Sequence, residues 1–256
     1  MLFEAEVFLT FALVMARISG LMIAAPVLGS VNFPIIAKVG FSGLFAFILT
    51  ATLPAQEAML PWSPLEYSLM AASELAIGLI MGFVLTLMFA AIQVAGQVMD
   101  MLAGFGMMNI FNPALGTQVP ILGFFFYIIA ILFLLATDGH HIMLIAMART
   151  FERIPLGGLT LHPELLRDVS TMGSLMFYDG LLIAAPVAAA LLVAYLTLGF
   201  LGRAVPQIQL FVVGFPITIA IALFLVAMVL QVYVTLLDGI FDRMFHDLGR
   251  MVLRMA

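Results

Sequence analysis

The 256-residue chain contains no cysteine, which excludes disulfides and thiolate chemistry. Charge is nearly as scarce: 9% of residues are Asp, Glu, Lys or Arg, against about 25% in soluble domains. With 65% hydrophobic residues and a mean hydropathy of +1.25, a soluble domain is excluded and the chain reads as an integral membrane protein. Positive charge is in deficit, the net charge being −5, so the basic patch that a nucleic-acid partner requires is missing. The opening MLFEAEVF puts two acids where a secretory signal wants positive charge, and no cleaved signal is expected. No nucleophile–base–orienter set, phosphate loop or metal-ligand spacing stands out, which argues against an enzyme and leaves no cofactor to assign. Nor is there an internal repeat of the kind many transporters carry.

What remains is a series of charge-free intervals, Ile18–Ala37, Val39–Gln56, Leu75–Met99, Met101–Thr137, Gly180–Gly202 and Ala204–Leu237. Most reach the roughly 20 residues a spanning helix needs. The expected fold is all-α, a polytopic membrane protein of about six hydrophobic helical segments, some broken or kinked, in a single domain over residues 1–256. The segments run over residues 7–28, 34–53, 65–103, 121–147, 172–201 and 210–237, with a short amphipathic piece around His162–Ser170 and an amphipathic tail over 238–256. The third has no proline before Pro113, so a continuous helix would extend for roughly 58 Å, nearly twice a bilayer core. It either breaks or projects. Arg149, Arg153, Arg167, Arg243, Arg250 and Arg254 fall on one side if six helices alternate, with Arg203 opposite, so the positive-inside rule makes the arginine-rich side cytoplasmic.

Several residues stand out against this apolar background. The segment Gly104–Pro120, GFGMMNIFNPALGTQVP, joins two long apolar runs without a charge and is rich in helix breakers. Irregular apolar backbone at membrane depth has to be buried in protein or line a cavity, so a loop filling a pore is expected, with a structural re-entrant turn as the plainer reading. Arg17 lies in the middle of the first segment, where it must face protein or water: either a neighbouring subunit or an ion pair with Glu74. Gln93, Gln97 and Asp100 share one helical face and either line a conduit or hold helices together. Gly78 and Gly82 form a GxxxG pair suited to close helix approach. Asp138, His140 and His141 mark a polar break rather than a metal site, since adjacent helical histidines should diverge. Arg203, Pro206 and Gln207 belong to a compact polar turn with an expected packing or subunit-contact role.

Taken in order, these motifs resemble the FliR family, the flagellar members of the type III export gate. The resemblance is carried by Ala95-Gly96-Gln97, Gly104-Phe105-Gly106, Phe111-Asn112-Pro113-Ala114-Leu115-Gly116 and Val119-Pro120-Ile121-Leu122-Gly123. Further on come Asp138-Gly139-His140-His141 with Phe151 and Pro155, then Leu198-Gly199 through Arg203, Pro206 and Gln207 to Phe211, Gly214, Phe215 and Pro216. Asn112, Tyr195 and Gln209 depart from the family pattern. The resemblance implies a non-enzymatic subunit of a helical hetero-oligomeric gate, built with FliP-like and FliQ-like subunits and wrapped by an FlhB-like switch protein. It implies a place in the bacterial inner membrane, within the flagellar basal body, with the gate partly above the membrane plane and unfolded flagellar proteins as cargo. It also implies that residues 104–113, with Phe105, Gly106, Met107, Met108, Phe111 and Pro113, plug the channel; the side chains of Phe105, Met107, Met108 and Phe111, able to fill irregular gaps and repack, are expected to form its seal. Arg17, Glu74, Gln93, Gln97, Asp100, Arg203, Pro206 and Gln207 are the expected channel or subunit contacts. Beside this stand an injectisome gate subunit and, from another class, a lone small-solute channel or transporter.

Overall fold

A computed structural model describes residues 2–30, 32–52, 63–105, 120–160, 162–205 and 210–255. Among them lie seven helices and no strand: α1 (Leu2–Ala24), α2 (Ile35–Thr52), α3 (Pro64–Ala103), α4 (Ile121–Ala136), α5 (Gly139–Arg153), α6 (Pro163–Ala204) and α7 (Leu210–Met255). Five are long and apolar enough to cross a membrane, and α4 with α5 forms a bent pair, 67° at the break, which makes a sixth if the pair is one span. The fold is that of an all-α polytopic membrane protein.

The overlong third segment does not break, and α3 is continuous over its 40 residues. Two boundaries differ from expectation. The amphipathic piece near His162 and the fifth segment are one 42-residue helix, α6, and the sixth segment and the tail are one 46-residue helix, α7. The reason is local at the start of α6, where Pro163 suits a first helical position. Pro186 and Pro216 are absorbed within these helices. At the other extreme, α4 ends because Asp138 adopts a left-handed conformation with φ 55°.

The chain forms two compact units that interleave in sequence. One comprises Met1–Leu87, Leu134–Met172 and Phe241–Ala256, the other Met88–Phe133 and Gly173–Ile240. In the first unit α1 and α3 meet backbone to backbone. A methyl group added at Gly78 would strike the Arg17 carbonyl, one at Gly20 the Leu75 carbonyl, and one at Gly82 the Ala24 side chain. The GxxxG pair therefore does what its spacing predicts. Thr86 donates to the Ala24 carbonyl (2.5 Å) and Tyr67 to that of Leu9 (2.9 Å), fixing the register of the two helices. The chain end is tied in by Thr160, which donates to Met255 O (3.2 Å), and by Arg254 beside Glu164 and Asp168.

In the second unit aromatic pairs join the helices within a largely aliphatic core. Phe126 stacks edge-on against Tyr233 at 4.6 Å and the Tyr233 hydroxyl donates to the Phe126 carbonyl (2.9 Å), so a buried phenol keeps its hydrogen bond. Phe89 and Tyr127 form a second edge-on pair. Gly96 lies against the backbone of Gly123, and Gly180 against the Ala91 carbonyl, allowing α4 and α6 to approach α3 closely.

Candidate functional site: a buried ion pair and an anchored apolar segment

Arg17, Glu74, Thr150 and Phe151 form a polar knot in the first unit. Arg17 donates through Nε to Glu74 (2.5 Å), through one terminal nitrogen to Thr150 Oγ1 (3.1 Å) and through the other to the Ile154 carbonyl (3.1 Å). Its guanidinium also stacks over Phe151, 4.1 Å from the ring centre. The second Glu74 oxygen accepts from the Gly157 backbone N–H (2.7 Å), in the turn that Gly158 closes on the Pro155 carbonyl (2.9 Å). Both charged side chains are 0% exposed. Of the two readings of Arg17, the ion pair with Glu74 is the one the structure contains. A buried pair of this kind offsets its desolvation only when further hydrogen bonds support it, and here each Arg17 nitrogen and each Glu74 oxygen has a partner.

The second feature surrounds the stems of the apolar segment. Residues 106–119 lie outside the described residues, so Gly106, Met107, Met108, Phe111 and Pro113 are not described here; Phe105 is half-buried. The helix before the segment ends on Gly104, whose φ of +92° favours glycine and whose Cα lies under the Phe215 ring. A helix terminus leaves its last carbonyls without helical partners, a costly condition at membrane depth. Each of three is answered here: Asp100 O accepts from Gly104 and Phe105 N–H, Leu102 O from the Tyr195 hydroxyl (2.7 Å) and Ala103 O from Thr218 Oγ1 (3.0 Å). The helix after the segment begins at Ile121, and its first N–H groups are answered by the Asp100 side chain. Leu122 N–H donates to Oδ1 (3.0 Å) and Gly123 N–H to Oδ2 (3.1 Å). An aspartate near the end of one helix thus caps the start of the next, with an anion where a helix N-terminus favours one.

This divides the expected polar stripe. Asp100 is 5% exposed and committed to α4, whereas Gln93 and Gln97 on the same face are exposed. Arg203 is exposed at the end of α6, and Pro206 and Gln207 lie outside the described residues. The sequence singled out neither Thr150 nor Thr218; both bond to backbone or side chains far away in sequence, and nothing local marks them.

The histidines do not diverge as expected. Because Asp138 is left-handed, its carboxylate returns toward the following helix, and one ligand atom from each of Asp138, His140 and His141 lies within 4.8 Å of the others. His141 Nδ1 is 3.2 Å from Asp138 Oδ1, and both side chains are well exposed.

Comparison with known proteins bears on the whole chain. The family described as bacterial export proteins, family 1, matches residues 8–244. "Flagellar biosynthetic protein FliR" of Bacillus subtilis (strain 168) is 30% identical over 240 residues, covering 93% of this chain and 92% of that one. The protein of the same name from Escherichia coli (strain K12) is 28% identical over 236 residues, covering 92% and 90%. That of Caulobacter vibrioides is 26% identical over 221 residues, covering 86% and 88%. A match of this extent, over a chain whose helices include five able to span a membrane, places it: the chain belongs to the bacterial export proteins of family 1, with the FliR proteins.

Proposed function

We propose that this chain is a non-catalytic core subunit of the flagellar type III protein export gate in the bacterial inner membrane, within the basal body and partly above the membrane plane. FliP-like and FliQ-like subunits complete the channel, an FlhB-like switch protein surrounds its base, and unfolded flagellar proteins are the cargo. Residues 104–113 act as the plug. The observation that supports this most directly is the double attachment of the segment: Asp100 bonds Leu122 and Gly123 on its far side, and Tyr195 and Thr218 bond the helix end on its near side. Anchored ends with an uncharged, Met- and Phe-containing middle suit a seal that has to exclude ions yet yield to a polypeptide. Methionine repacks at modest cost, and an apolar constriction resists ions by dewetting. Exposed Gln93, Gln97 and Arg203 are then conduit or subunit contacts. The flagellar pathway is preferred to the injectisome because the relatives described above carry flagellar names.

The test is removal of Gly106–Asn112 in cells that assemble the gate. Small solutes should then cross the membrane; normal assembly with unchanged permeability would refute the plug.

A further inference from the structure

A groove of about 460 Å³ in the first unit lies between α5 and the last turns of α7. Its apolar wall includes Ile142, Ile145 and Leu253, which are 43%, 51% and 61% exposed. Its cationic part is Arg149, Arg153 and Arg250, with His246 beside them, and no carboxylate lines it. Arg250 is shared with Asp247, but Arg149 and Arg153 make no ion pair among the described residues. Arg153 occupies the last turn of α5, where a cation suits the helix end; Arg149 sits a full turn earlier and has no such reason.

On the α5 wall the two kinds of side chain are ordered along the groove. On α5, residues 142, 145, 149 and 153 share one face, so the lining passes from apolar to cationic over about three turns. A ligand matching that gradient has a hydrocarbon part and an anionic head. Both walls belong to candidate membrane spans, α7 and the bent α4–α5 pair, where such molecules are the solvent. The arginines lie on the side that charge distribution assigns to the cytoplasm, whose leaflet concentrates anionic lipid.

We infer that this groove is a binding site for an anionic phospholipid, its phosphate held by Arg149, Arg153 and Arg250 and an acyl chain laid along Ile142 and Ile145. Phosphatidylglycerol and cardiolipin share the chemistry required. An acidic protein segment would need the same charge complementarity, but the exposed apolar wall within membrane spans favours lipid.

The experiment uses the full chain, purified with whatever subunits accompany it and placed in nanodiscs of equal parts phosphatidylglycerol and phosphatidylethanolamine. Lipid retained after transfer to detergent is counted by mass spectrometry. Phosphatidylglycerol should be retained over phosphatidylethanolamine by about tenfold. Arg149→Gln with Arg153→Gln should bring the ratio close to parity at unchanged helicity, and Ile145→Trp should lower retention of both lipids while leaving the arginines in place. Discs containing cardiolipin instead distinguish the two anionic sources. Equal retention in the wild type, a preference intact in the double variant, or capture of an acidic polypeptide rather than lipid by a photoreactive residue at position 145 would overturn the inference.

Discussion

Arg17 has four partners from three parts of the first unit. Deleting one member of such a pair leaves the other as an uncompensated buried charge, whereas replacing both with apolar groups removes the desolvation burden along with the attraction. Arg17→Ala or Glu74→Ala alone should therefore destabilise the protein by roughly 3–5 kcal/mol, while Arg17→Met with Glu74→Leu should recover much of that loss. Thermal denaturation of the purified protein in detergent distinguishes the cases. Equal loss in single and double variants would mean that hydrogen bonds to Thr150, Ile154 and Gly157, rather than charge, dominate the knot. The sequence offered both Arg17 and Glu74 and even their pairing as one alternative, because charges inside apolar runs are conspicuous. Thr150 and the Ile154 carbonyl were not legible, since nothing in a threonine or a backbone group announces a partner 133 or 137 residues away.

At the scale of elements, the junction of α3 and α4 depends on Asp100. Asp100→Ala would strip two N–H groups of their acceptor, at roughly 1–3 kcal/mol for each buried group left unsatisfied. Asp100→Asn keeps one carbonyl acceptor and should cost less. Hydrogen exchange at Leu122 and Gly123 should accelerate in the alanine variant, and unchanged protection there would show that α4 starts without the cap. The helices themselves were largely legible from charge-free runs, and so was the break at Asp138, because hydropathy and helix breakers act locally. The length of α6 and α7 was not. A change from apolar to amphipathic composition at residue 238 reads as a boundary, but backbone hydrogen bonding continues through it when neither proline nor a left-handed residue interrupts. The role of Asp100 was hidden for a further reason. Its spacing from Gln93 and Gln97 describes a face of its own helix, and spacing carries no information about which later helix arrives to cover one turn of that face.

At the scale of the molecule, α3, α6 and α7 have 40, 42 and 46 residues. At 1.5 Å per residue they extend for about 60, 63 and 69 Å, roughly twice a bilayer core of about 30 Å. They are not equally covered by the chain itself: the most apolar window of α3 is 61% buried, that of α7 only 17%. Phe224, Met228 and Val232 stand on α7 at 65%, 63% and 57% exposure. A bilayer can cover only part of such a surface, and the proposed neighbouring subunits would cover the rest. The consequence concerns time in the cell. Membrane proteases act on chains that keep apolar surface uncovered, so the lifetime of this polypeptide becomes a measure of how many companions are made beside it. Pulse-chase labelling should find a short-lived chain when it is expressed alone and a long-lived one when the FliP-like and FliQ-like subunits are supplied, with synthesis unchanged. Equal lifetimes would mean that the chain is complete by itself. Cells making such a chain would then need no separate device to match its amount to that of its neighbours, because the surplus of any unpaired copy would be cleared by its own length.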